Sequence, residues 1–244
     1  MRIAEKAVAI IILALVAWAM IMWGATRFDG YQPNRILRVE LGSDAGQLGQ
    51  AVSSSDSDAI ANNIRMVVRN TQMDYIFILL YWLTFLSLAI LAGRMGERML
   101  GICAALLISG AVFSDILENN AILVAMRVKP FTDAVAVDIS DFSQWKWAFF
   151  FLASILIGLA FAVNHHVSRI RRASGGLFIA SGVIGLLGIM RYRVSLEFSI
   201  WMLDFAILLI AAALGLTLWK LYHSIKLNAK NSWAMPTPMH SRPR

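Results

Sequence analysis

MLGICAALLISGAVFSDILENNAILVAM occupies residues 99–126 of the chain. From Met99 to Phe113 it carries no charge, and it becomes apolar again from Ala121 to Met126. Between them lies Ser114-Asp115-Ile116-Leu117-Glu118-Asn119-Asn120. A run this long and apolar is long enough to cross ~30 Å of hydrocarbon as a helix. On a helix, Asp115, Glu118 and Asn119 stand at i, i+3 and i+4 and share one face. Ala104, Ile108 and Ala111 continue that stripe, so the face is expected to look into a helix bundle rather than at lipid.

The rest of the chain repeats the apolar pattern. Five further stretches read as spans: Ala7–Trp23, Tyr75–Ala92, Trp147–Val163, Ser174–Met190 and Ser199–Trp219. Only 15% of the residues are charged, where soluble domains average roughly 25%. Mean hydropathy is +0.66. The sequence therefore predicts an all-α integral membrane protein, a bundle of about six transmembrane helices spanning residues 1–227.

The first stretch reads as an uncleaved anchor. Its apolar region exceeds the ~7–15 residues of a signal peptide, and Trp23 stands where a cleavage site wants a small residue. Lys and Arg flanking the spans set orientation. With the N-terminus inside there are twelve on the inner side and ten on the outer, which predicts both termini inside (N-in/C-in). Trp18, Trp23, Trp145, Trp147, Trp201, Trp219 and Tyr222 fall at span ends, as interfacial aromatic belts do.

Residues 24–74 form the one sizeable connection, placed on the outer side. It is too short and polar for an independent core. Ile60, Ile64, Val67 and Val68 recur at helical spacing, so 59–71 is expected to be an amphipathic helix capped by Ser57 or Asp58. This connection is also the candidate surface for a protein partner. The tail 228–244, with Pro236, Pro238 and Pro243, is expected to be a disordered cytoplasmic segment.

The net charge of +7 does not indicate nucleic acid, because the basic residues are scattered beside apolar runs. The single cysteine, Cys103, sits inside a span and reads as a packing residue. No metal site is expected. His165, His166, His223 and His240 all fall on the inner side, away from the acidic positions. His165-His166 beside Arg169, Arg171 and Arg172 reads as an inner-side positive anchor. No G-x-S-x-G, H-E-x-x-H or P-loop pattern is present.

An ionised Asp near the bilayer centre costs ~2.5–3.5 kcal/mol on insertion scales. It is tolerated when paired, hydrated or neutralised. At 1.5 Å per residue, Asp115 lies ~24 Å and Glu118 ~28 Å along the third span, and Asp204 lies ~8 Å into the sixth from the outer side. These depths match. The sequence thus points to an outward-facing polar pocket lined by Asp115, Glu118, Asn119 and Asp204 and rimmed by Arg127 and Arg191. Asp74 opens the second span nearby.

Proton-coupled binding or transport of a small molecule or ion is the expected role. Two alternatives stand beside it: a lipid-headgroup enzyme using the carboxylates, and a non-catalytic assembly protein. The excess of Arg over Lys and the lack of Asn-x-Ser/Thr in the outer connections point to a bacterial inner membrane. No pattern names a substrate or cofactor or sets the oligomeric state.

Overall fold

The computed structural model describes residues 2–28, 34–53, 57–128, 130–163, 168–191 and 195–233. Among them are eight α-helices and no strand: α1 (Arg2–Phe28), α2 (Asn34–Leu41), α3 (Ala45–Val52), α4 (Ser57–Arg94), α5 (Arg98–Ala125), α6 (Asp133–Val163), α7 (Arg169–Arg191) and α8 (Leu196–Trp233). Six of these, α1 and α4 to α8, are long and apolar enough to cross a membrane. The protein is therefore a helical membrane bundle. Lys129, His165, His166, Arg193 and the tail beyond Trp233 lie outside the described residues.

Several helices are longer than the sequence predicts. The expected amphipathic helix 59–71 and the second span are one continuous helix, α4, because no Gly or Pro interrupts the chain between Ser57 and Ala92. Asp74 does not break it. The third connection is likewise mostly helix, since α6 begins at Asp133. Lys146 is therefore not a loop residue but lies mid-helix. At the other end, α8 continues through Trp233, into the segment expected to be disordered.

Helices α4 to α8 pack in chain order, each on the next, and α1 lies against α4 and α8. The apolar helices so form a closed ring of antiparallel neighbours. One end carries α2, α3 and the start of α4, and is called here the connection end. The opposite end carries the start of α1 and the turn between α4 and α5. That turn is a Schellman motif. Glu97 N–H donates to the Ala92 carbonyl and Gly96 N–H to the Gly93 carbonyl. Gly96 takes φ +104°, open to glycine at no steric cost. Nearby, the Arg171 guanidinium lies 3.7 Å from the buried Glu5 carboxylate of α1.

Without a hydrophobic drive between helices in lipid, close packing and interhelical hydrogen bonds hold such a bundle. Small residues bring the fourth and fifth spans together. A Cβ at Gly158 would sit 2.6 Å from the Gly175 carbonyl oxygen, so α6 and α7 touch backbone to backbone. Ser174 donates to the Ala213 carbonyl and Ser181 to the Ala206 carbonyl, both at 2.9 Å, and these pairs tie α7 to α8. Ile10, Leu79, Leu106, Leu187 and Leu208 point outward, as a lipid-facing surface requires.

Two local expectations change. Cys103 is exposed on the outside of the ring rather than packed within it. Trp147 stacks on Phe151 at 5.7 Å and belongs to the interior, not to an interfacial belt. Trp145, Trp201, Trp219 and Tyr222 are exposed, as belt residues are.

The buried apolar residues fall into two groups. The larger fills the ring. The smaller joins Val39 of α2, Leu48 and Val52 of α3, Val67 of α4, Ile122 of α5 and Ile139 of α6. The connection thus builds no core of its own, but borrows the overhanging ends of three long helices to make one.

Candidate functional site

Between the two apolar groups lies a charged layer. Its organising residue is Lys146. The ammonium reaches Glu118 Oε2 at 2.5 Å, Glu40 Oε2 at 3.1 Å and Asp115 Oδ1 at 3.3 Å. Glu118 is fully buried, Asp115 is 3% exposed and Lys146 is 7% exposed. The Lys146 ammonium also lies 5.0 Å from the Trp147 ring centroid, within cation–π range.

Each side chain is placed by a different local cause. Asp115 and Glu118 lie one turn apart on the inward face of α5, above Ala104, Ile108 and Ala111, all fully buried. Lys146 leaves the face of α6 that meets them. Glu40 comes from α2, whose Leu37 and Leu41 sink into the ring core while Val39 joins the smaller core. That anchoring lays α2 across the end of the ring and leaves Glu40 facing Lys146.

Helix α4 closes the centre from a third side. The Tyr81 hydroxyl donates to Asp115 Oδ2 at 2.9 Å. Asn119 Nδ2 donates to Asp74 Oδ2 at 2.9 Å, and the Tyr75 hydroxyl donates to Asn120 Oδ1 at the same distance. The α5 polar segment is thereby tied to α4 through Asp115, Asn119 and Asn120 and to α6 through Asp115 and Glu118.

Glu40 lies outside the spans, and its carboxyl is held above the ordinary glutamate range. Burial is the main cause, which disfavours the charged form. The Lys146 ammonium pulls the other way, and the Asp115 carboxylate beside it adds to the upward push.

Of the residues the sequence singled out, the structure brings Asp115, Glu118 and Asn119 together. It does not bring in the others. Asp204 is half-buried on α8 and makes no ion pair with them, and Arg127 and Arg191 are exposed at helix ends without reaching the carboxylates. Nor is the centre an open pocket, because α2 lies across it. Sequence reasoning missed Lys146, Glu40 and Tyr81. The signal for Lys146 was present. A lone lysine between Trp145 and Trp147, followed directly by a span, resembles an interfacial anchor until its helix is extended upward.

The fold and this centre define a multi-pass helical membrane protein with an enclosed ionisable core. No family model matches the chain, and neither a curated protein nor a solved structure matches it.

Proposed function

We propose that the protein binds or carries a small molecule or ion across the bilayer in step with protons, using the Lys146 centre. One observation supports this above the others. Three carboxyl groups, on Glu40, Asp115 and Glu118, converge on a single ammonium. If all were ionised, two negative charges would be left without a cation in a low-dielectric site. Removing even one partner of a buried pair costs about 3–5 kcal/mol. A centre of this kind relieves the imbalance by taking up protons or cations. An arrangement so costly to folding is retained where it does work.

Helix α2 supplies the moving part. Its hold on the ring is one buried carboxylate, a few apolar side chains and the exposed Arg38–Glu197 pair. An exposed pair of that kind adds little. Burial raises the Glu40 carboxyl, so the closed form is favoured with Glu40 protonated. Loss of that proton frees α2 to lift, which opens the centre to the connection end. The distribution of Lys and Arg favours both termini inside a bacterial cytoplasmic membrane, with the connection end facing out.

The test is proton uptake by proteoliposomes loaded with a pH-sensitive dye and energised by an imposed membrane potential. Acidification above protein-free vesicles is expected for the wild type. It should be lost in Glu118→Gln and kept in Asp204→Asn, which lies outside the centre. No acidification in the wild type, or equal rates in Glu118→Gln, would reject the reading.

A further inference from the structure

An ammonium group has three N–H donors. Lys146 has three carboxylate oxygens around it, one each from Glu40, Asp115 and Glu118. One ammonium is thus shared by three carboxyl groups. Two further oxygens in the same layer have no partner among the described residues: Glu118 Oε1 and Ser143 Oγ. Both side chains are fully buried. Ser143 stands one turn from Lys146 on the same face of α6, the face that meets α5 and its carboxylates.

A buried polar atom without a partner costs ~1–3 kcal/mol, and a ligand that met both would remove that cost. Their chemistry restricts what it is. Both are hard oxygen donors, set beside carboxyl groups in excess of the local cation. An anion is disfavoured here, because three carboxyl groups surround the one ammonium. A divalent ion demands six or more oxygens or keeps several waters, and among the described residues no three His, Cys, Asp or Glu side chains are placed to hold a metal.

We propose that this centre binds a small monovalent cation through Glu118, Ser143 and Asp115, and that the Lys146 ammonium competes with it for the carboxylates. The proposal rests on the proton-coupled reading and names the class of ion that moves in that cycle. In the closed form the lysine stands in for the ion. When α2 and Glu40 withdraw, Lys146 loses one of its three partners, and an entering cation displaces it from Glu118. The residues facing the ion are then Glu40 from α2, Asp74 and Tyr81 from α4, Asp115 and Glu118 from α5, and Lys146 from α6.

The experiment is thermal unfolding of the full chain in detergent, titrated with sodium, potassium, magnesium or choline chloride at matched ionic strength. A saturable rise in Tm with sodium or potassium, and none with choline, is expected. Loss of a hydrogen-bonding oxygen ligand to a charged group should raise the half-saturating concentration about tenfold in Ser143→Ala. Removal of the competing ammonium should lower it by about the same factor in Lys146→Met. Glu118→Gln should abolish the response. Should Lys146→Met fail to fold, the Ser143→Ala and Glu118→Gln titrations decide alone. Equal responses to sodium, potassium and choline, a response to magnesium only, or an unchanged half-saturation in Ser143→Ala would each overturn the proposal. If proton uptake still depends on Glu118 while no cation stabilises the protein, the cation proposal fails and the proton-coupled reading stands. If both are absent, the reading beneath it fails as well.

Discussion

The Lys146 ammonium lies 2.5 Å from Glu118 Oε2, and Glu118 has no exposed surface at all. The two residues come from neighbouring antiparallel helices, and Glu40 and Asp115 share the same lysine. The cation therefore holds α2, α5 and α6 together. The carboxyls are not equivalent to it, since each has two companions and the lysine has none.

That asymmetry makes a prediction about stability. Lys146→Met leaves Glu40, Asp115 and Glu118 facing one another with no cation, and should cost about 3–5 kcal/mol at neutral pH. Glu118→Gln keeps the lysine paired with Glu40 and Asp115 and should cost clearly less. Thermal unfolding of both variants in detergent measures the difference. Equal losses would mean that the lysine does not organise the centre.

Glu40 gives the pH dependence a direction. Its carboxyl is raised in the folded protein by burial, so the folded state holds this proton more tightly than the unfolded chain. The resulting stabilisation is full below the ordinary glutamate value and is lost as pH rises through the folded value. Glu40→Gln cannot titrate and should flatten that decline. Tm measured across the acidic to neutral range for wild type and variant checks the sign, and a steeper decline in the variant would contradict it.

The α6–α7 contact should be sensitive to single methylenes. Gly158 and Gly185 face the Gly175 backbone and the Phe151 ring, whereas a Cβ at Gly176 or Gly215 would meet nothing within 4 Å. Gly158→Val and Gly185→Val should therefore lower stability by about 1–3 kcal/mol or more, as overpacking does. Gly176→Ala and Gly215→Ala should be silent or slightly stabilising. Unfolding midpoints of the set, read together, separate backbone contact from helix propensity.

Sidedness is accessible to chemistry. With the exposed Cys103 replaced by Ser, a cysteine placed at the exposed Gly46 near the start of α3 should react with a membrane-impermeant maleimide from outside intact bacterial cells. One at the exposed Lys226 of α8 should react only after the membrane is opened. The opposite pattern would invert the proposed orientation.

The spans were legible because the bilayer imposes a length and a composition that few other environments require. The inward face of α5 was legible for a similar reason. Asp115, Glu118 and Asn119 share a helical stripe with Ala104, Ile108 and Ala111, and periodicity alone aligns them. What could not be read was long-range. Glu40 lies 106 positions before Lys146 in the chain, and nothing in either neighbourhood names the other. Asp204 shows the converse error. Equal depth on two helices says nothing about whether those helices are adjacent, and α5 and α8 face different partners in the ring.

The order in which the ring closes follows from the place of α1. From α4 onward, each helix packs on the one made just before it, so during synthesis every new span finds its partner already in the membrane. Chains emerge at roughly 5–20 residues per second, and such neighbour-by-neighbour docking needs no long search. The first span is different. It gains α4 early, but its Glu5–Arg171 bond waits for α7, and its contact with α8 waits until the far end of the chain has been translated. Until α7 is made Glu5 lacks its Arg171 partner, and until α8 is made the nascent bundle has an open seam. The last helix to be made is the one that seals it, which makes truncation within α8 a lesion of assembly rather than of a local contact.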